Sequence, residues 1–300
     1  MAETLAFELE AQDMPGTVTL GPVPELSAVG EFPPVYVIVD PRGFLAATGS
    51  DLPEPALLRR TIIVWTEGPP ADGDPLVAAV REGGAVFATS QRSVAALHRR
   101  GVKARLLRPG WTAHHDRFQA AAVRSIDVLF LGVQTERRTQ WLQDARPVLE
   151  GCRVEVQTAA ALPRADDPSA PLAEPRWDLL ARSEILLAVH GDEDRAIDWS
   201  GALDAMHAGA VVVSEHSSAF APLIPGEQLV LGSAEALPHI ARALLRRPQR
   251  LAEIRNAAHT RLREWIPYAL WASVLRAAVV ELIGEPLEAP TRPSPGVELP

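Results

Sequence analysis

This 300-residue chain has one cysteine, one lysine and no long apolar run, and each shortage excludes a class of protein. Cys152 has no second cysteine to pair with, so no intrachain disulfide framework is possible, and a reducing, cytoplasmic setting is expected. No stretch approaches the roughly 18 uncharged apolar residues needed to span a bilayer. The opening MAETLAFELEAQDM lacks a basic region followed by an apolar one, so no signal peptide is expected. Lys103 is the only lysine among 29 basic residues, a bias that with the abundant Ala, Pro and Arg reads as coding composition before function. The net charge of −9 argues against nonspecific nucleic-acid binding, which rests on neutralising phosphates with Lys and Arg. HExxH, paired cysteines, GxGxxG and GxxxxGK[ST] are all missing, so a metal centre, a dinucleotide fold of the NAD type and a P-loop are not expected.

What remains is a chain with 47% hydrophobic residues, enough for two ordinary α/β domains. The stretch from Ser183 to Leu231 is the most informative. Ile185–Val189 is an unbroken apolar run, as a strand buried on both faces requires, and it stops at His190-Gly191-Asp192. Ser200–Ala208 has helical composition, with Gly209 where a C-terminal cap belongs. Ala210–Val213 reads as the next buried strand, and Ser214-Glu215-His216-Ser217-Ser218 follows it. Ligands of open α/β sheets bind outside the carboxyl ends of strands, so two successive strand ends bring polar groups to one rim.

Elsewhere, short apolar runs alternate with helical stretches, which implies parallel βαβ units. The runs are Val35–Val39, Thr61–Trp65, Ala85–Ala88 and Val102–Leu107 in the first part, then Ile126–Leu131 and Arg153–Gln157. Pro75–Glu82, Ser93–Arg100, Arg138–Leu149 and Arg176–Ala181 read as helices, with Ser90 or Ser93 as an N-cap. Pro109–Phe118 breaks the pattern and is the candidate hinge. The expected division is a small first domain over 1–112, a second over 119–285 and a disordered Pro-rich tail over 286–300.

LDAMHAGAVVVSE, residues 203–215, resembles the "EAMAxGxPVV" stretch of GT-B fold glycosyltransferases, in the style of group 1 and spore-maturation-protein-like members. The tail from Ala234 to Arg263 is similar to theirs, and the resemblance covers roughly residues 124–280. It implies an α/β protein of two Rossmann-like domains facing across a cleft, with a reduced N-terminal domain here. The stretches Arg261–Trp265 and Tyr268–Ile283 would return towards the first domain. It also implies metal-independent transfer of a sugar from a nucleotide-diphosphate sugar to a hydroxyl acceptor whose identity stays open, with no cofactor and possible oligomerisation. Two alternatives stay open. One is a non-catalytic GT-B-like binding or scaffold protein, favoured because the usual N-terminal glycine-rich turn is missing. The other is a nucleotide-sugar epimerase on the same fold.

The resemblance places Asp204 on the ribose hydroxyls; otherwise a carboxylate in the first turn simply complements the helix dipole. The family's second acidic residue, eight positions earlier, corresponds to Ala196, with Glu193 and Asp198 nearby. Glu215, His216, Ser217 and Ser218 would lie against the donor sugar and diphosphate, using hydroxyls and amides between a strand and a helix, or would form a Ser-rich turn with an N-cap. Gly132 followed by Arg137 and Arg138 resembles the family's glycine-then-basic loop, in which a cation clamps phosphates; a solvated charge run is the plainer reading. His190 either reaches a donor phosphate or satisfies neighbouring backbone. Asp40 and Glu67, at strand ends of the first domain, are candidates for the general base, though both sit in ordinary turn sequences. His114 and His115 in the hinge are further candidates.

Overall fold

A computed structural model describes residues 1–18, 35–39, 41–42, 58–66, 68–70, 74–81, 84–159, 173–191, 199–218 and 220–284. The expected tail, and Asp192, Glu193, Ala196, Asp198, Asp40 and Glu67, lie outside them.

Two parallel sheets organise the chain. The first has β1 (Tyr36–Val39), β2 (Thr61–Trp65), β3 (Ala85–Ala88) and β4 (Ala104–Leu106) in chain order. Its helices are α1 (Ala2–Glu10), α2 (Pro75–Arg81) and α3 (Gln91–Arg99). Ser90 caps α3, accepting from the Ser93 amide at 3.0 Å. Because side chains alternate along a strand, each strand supplies both faces. Ile62, Val64 and Phe87 pack with Leu5 and Leu9 of α1, whereas Ile63, Trp65 and Val86 pack with Val77 and Leu97 of α2 and α3.

The second sheet contains β5 (Ile126–Val133), β6 (Val154–Ala159), β7 (Ser183–Ala188), β8 (Val211–Glu215) and β9 (Val230–Gly232), in the order β6-β5-β7-β8-β9, all parallel. Helices α4 (Glu136–Ala145), α5 (Ala173–Ala181), α6 (Trp199–Ala208), α7 (Leu237–Leu245) and α8 (Pro248–Trp265) cover it. Leu129, Leu186 and Val212 face α5, α6 and the far end of α8, through Trp177, Leu203 and Leu262. Val128, Phe130, Ile185 and Val211 face α4, α7 and the start of α8, through Trp141, Leu237 and Ile254. Gly209 closes α6 at φ +79°, the left-handed conformation a side chain would resist. The chain leaves β5 for β6 on one side and returns to β7 on the other, which makes the β5/β7 boundary the topological switch point.

Two segments cross between the sheets. In the first, Trp111 donates its amide to Ile266 O at 2.7 Å and accepts from the Tyr268 amide at 2.8 Å. Gly110 permits this approach, since a Cβ there would lie 2.2 Å from Ile266 O. The second is the turn at Pro267 leading into α9 (Tyr268–Ile283), whose Tyr268, Leu275 and Ala278 join the first core. Among the described helices that follow the second sheet, this last one alone crosses. Arg261–Trp265, expected to return with it, stays with the second sheet because Leu262 and Ile266 are buried in that core.

Candidate functional site

The carboxyl ends of β5, β7 and β8 bring most of the expected donor residues together. β5 runs through Gly132, and Thr135 then caps α4, its hydroxyl accepting from the Arg138 amide at 3.2 Å. That capping fixes the first turn of the helix and sends two consecutive arginines in different directions. Arg137 reaches over β7 to the end of β8. Its NH1 donates to His190 O at 2.6 Å and to Glu215 Oε2 at 2.8 Å, and its NH2 donates to Glu215 Oε1 at 2.5 Å. The same Oε2 accepts from the His190 amide at 2.6 Å. Glu215 is thus the keystone joining three elements. Burial opposes its ionisation, but the Arg137 guanidinium and the His190 N–H outweigh that and hold its carboxyl below the ordinary value.

Arg138 takes the other direction. Its Nε donates to Val189 O at 2.9 Å, and the guanidinium lies against two glycines at the switch point. A Cβ on Gly132 would meet Arg138 NH1 at 3.0 Å, and one on Gly191 would meet its Cζ at 3.5 Å. Gly191 is not among the residues expected for the site. Its only sequence signal is the abrupt polar turn after the β7 run, because its partner Arg138 is 53 residues away.

Ser217 connects the rim to the histidine. Its hydroxyl donates to Glu215 O at 2.8 Å, so at 3.1 Å from His190 Nε2 the oxygen accepts from the imidazole. The Ser214 hydroxyl lies 3.3 Å from Ser217 Oγ. His216 and Ser218 are exposed beside them, and the His216 amide extends the β8–β9 ladder to Gly232 O at 2.8 Å. Ser214 and Glu215 belong to β8 itself, and no helix follows directly among the described residues. The expected strand-to-helix turn is therefore a strand end with an open loop.

Asp204 stands apart from this network. It is the sixth residue of α6, in the second turn and not the first, and its Oδ2 lies 2.7 Å from Arg176 NH2 of α5. His114 and His115 are also elsewhere, in the seam between the sheets: His114 lies 5.0 Å from Phe7 between ring centroids, and His115 stacks on Trp177 at 4.8 Å. Trp199 at the start of α6 faces the first domain, with the Arg108 guanidinium 5.2 Å from its ring. No group of three His, Cys, Asp or Glu able to hold a metal occurs among the described residues. Nor is any helix among them long and apolar enough to cross a membrane.

Two all-parallel sheets, the second with its switch point between β5 and β7, also recur in solved structures of other proteins. HepE from Anabaena, solved in complex with UDP-glucose, superposes with a TM-score of 0.51 at 14% identity, over 74% of this chain and 72% of that one. HepE in complex with UDP gives 0.50 at 12% identity, over 76% and 77%. TarM gives 0.48 at 8% identity, and this chain spans only 55% of its length. No protein-family model matches the chain, and no curated protein does. The fold is therefore that of the GT-B glycosyltransferases.

Proposed function

We propose that the chain transfers a sugar from a nucleotide-diphosphate sugar to a hydroxyl acceptor without a metal. The observation that carries this reading is the cation at the switch point: Arg138 is held by Val189 O and flanked by Gly132 and Gly191. Two residues without side chains let the guanidinium lie close against the backbone at the strand ends, where an arginine is a planar fork suited to phosphate oxygens. Arg137 has a different part, since its bonds to Glu215 and His190 O fix the rim on which Ser217, His216 and Ser218 would meet the sugar and diphosphate. His190, donating to Ser217, would orient that hydroxyl.

The ribose contact is assigned to Asp204, which has to exchange Arg176 for the two hydroxyls. The general base is assigned to Glu67 or Asp40. Glu67→Gln is expected to abolish transfer and leave donor binding intact; undiminished turnover removes it from the reaction. The non-catalytic reading is favoured by the missing glycine-rich turn, by Ala196 in place of the second acidic residue, and by the existing ion pair of Asp204. The test of the whole reading is a thermal-shift panel of UDP, GDP, TDP and their sugars on wild-type protein and Asp204→Ala. At least one nucleotide is expected to stabilise the wild type, with the variant losing about 1–3 kcal/mol of binding. A flat panel refutes a donor site, and equal shifts in both proteins refute the ribose assignment.

A further inference from the structure

The segment 109–118 fastens the first domain to the second at three points. The main chain of Trp111 is bonded to Ile266 and Tyr268, with no titratable group involved. The Asp116 carboxylate meets His259 Nε2 of α8 at 3.0 and 3.1 Å, with Phe118 stacked on that ring at 4.0 Å. The third point is His207 of α6. Its Nε2 accepts from the Thr112 amide at 3.1 Å, while its own backbone carbonyl accepts from the Arg117 amide at 3.0 Å.

The hydrogen bonds of His207 determine its state. Nδ1 lies 2.8 Å from Leu203 O, which can only accept, so the ring's single proton is on Nδ1. Nε2 is then the lone-pair acceptor for Thr112, and only the neutral imidazole can fill both roles. A second proton would set N–H against N–H. Neither group has water to turn to, because His207 is 2% exposed and Thr112 1%.

The surroundings oppose that proton as well. From the linker, His207 is faced by His115, with ring centroids 6.4 Å apart, and by Asp116. From α5 it is faced by Trp177 at 6.2 Å, and from α8 by His259. Among the described residues, Asp116 is the carboxylate that favours protonation, but it already accepts from the Trp111 indole, the Phe118 amide and His259. His115 is in turn bonded to Thr4 of α1 at 2.8 Å and faced by His114, Arg117 and the Met1 ammonium, with Asp204 and Glu3 near that ammonium. Burial, ahead of every other influence, lowers both His207 and His115 to about 4.

We propose that His207 is an acid-operated latch between the two domains: its neutral ring holds the linker on α6, and its protonation releases the linker so that the sheets separate. Each sheet keeps its own core clusters, and the Trp111 main-chain pairing serves as the pivot. The His259–Asp116 contact, with Phe118 stacked on the imidazole, keeps α8 attached to the linker while α6 lets go.

The test is a titration of the full chain from pH 7 to 4, followed by small-angle scattering and far-UV circular dichroism. The latch predicts a stepwise rise in radius of gyration between pH 4 and 5 with the dichroism unchanged. In His207→Gln, whose amide oxygen accepts from Thr112 at every pH, the step disappears; in His115→Asn it persists. Should His207→Gln not fold, nitrogen-resolved NMR of the wild type gives the same decision. The His207 ring is expected as the Nδ1–H tautomer at neutral pH, with the Thr112 amide shifting along its titration. A step that survives in His207→Gln, a Thr112 amide indifferent to that titration, or expansion seen only with loss of dichroism overturns the proposal.

Discussion

Replacing Glu215 with Gln probes the keystone of the rim with almost no change of shape. The carboxylate accepts three hydrogen bonds, two on Oε2 and one on Oε1. A glutamine must turn one oxygen into an NH2 group. Its better orientation keeps oxygen at the Oε2 position, retaining Arg137 NH1 and the His190 amide, and places NH2 against Arg137 NH2. One bond to a charged group is lost, worth about 1.5–3 kcal/mol. The Arg137 side chain is 40% exposed, so water replaces part of the loss and the lower end applies, about 1.5–2 kcal/mol. For a domain of this size that corresponds to a fall in unfolding midpoint of roughly 3–8 °C. Calorimetry measures it, and hydrogen exchange at the His190 amide localises it.

The pH dependence sharpens the same test. Glu215 is held below its ordinary 4.5, so its contribution is complete above that pH and is lost as pH falls through the lowered folded value. The gap between wild type and Glu215→Gln should therefore close in acid, while the histidine effects common to both proteins cancel. An unchanged midpoint, or a gap that persists undiminished to pH 3, would refute the keystone role.

Two further outcomes follow from the seam between the domains. Gly110→Ala puts a Cβ within 2.2 Å of a backbone oxygen that cannot move without displacing the crossing at Ile266, and should cost on the order of 2 kcal/mol in urea titration; a change under about 0.5 kcal/mol would show that the crossing is slack. His207 is lowered from 6.5 to about 4 by burial, so its contribution is whole above 6.5 and is lost as pH falls towards 4. At roughly 1.4 kcal/mol per pH unit this amounts to about 3 kcal/mol, which equilibrium unfolding at pH 7 and 4 on wild type and His207→Gln would reveal as a smaller acid loss in the variant.

The strands and the rim could be read directly from the residues, because burial on both faces leaves unbroken apolar runs and a strand end leaves a polar break. Thr61–Trp65 and Ala85–Ala88 have the bounds that their composition implies, and Gly209 takes the left-handed cap expected of it. The division of labour between Arg137 and Arg138 could not be read. It depends on Gly191 and Glu215, which the fold brings from 53 and 78 residues away. Asp204 lies in the second turn of α6, which begins one residue before the expected Ser200, and α8 does not cross with α9 because Leu262 and Ile266 anchor it in the second core. The latch at His207 has no local signature, since Thr112 is 95 residues distant.

In the proposed function, Arg138, set between Gly132 and Gly191, holds the diphosphate of a nucleotide sugar. Titration calorimetry of wild type and Arg138→Ala with the nucleotide diphosphate selected by the thermal-shift panel tests it most directly. Saturable binding by the wild type is expected, weakened at least tenfold in the variant, with far-UV circular dichroism showing the variant folded. Equal affinity in the two proteins would contradict it.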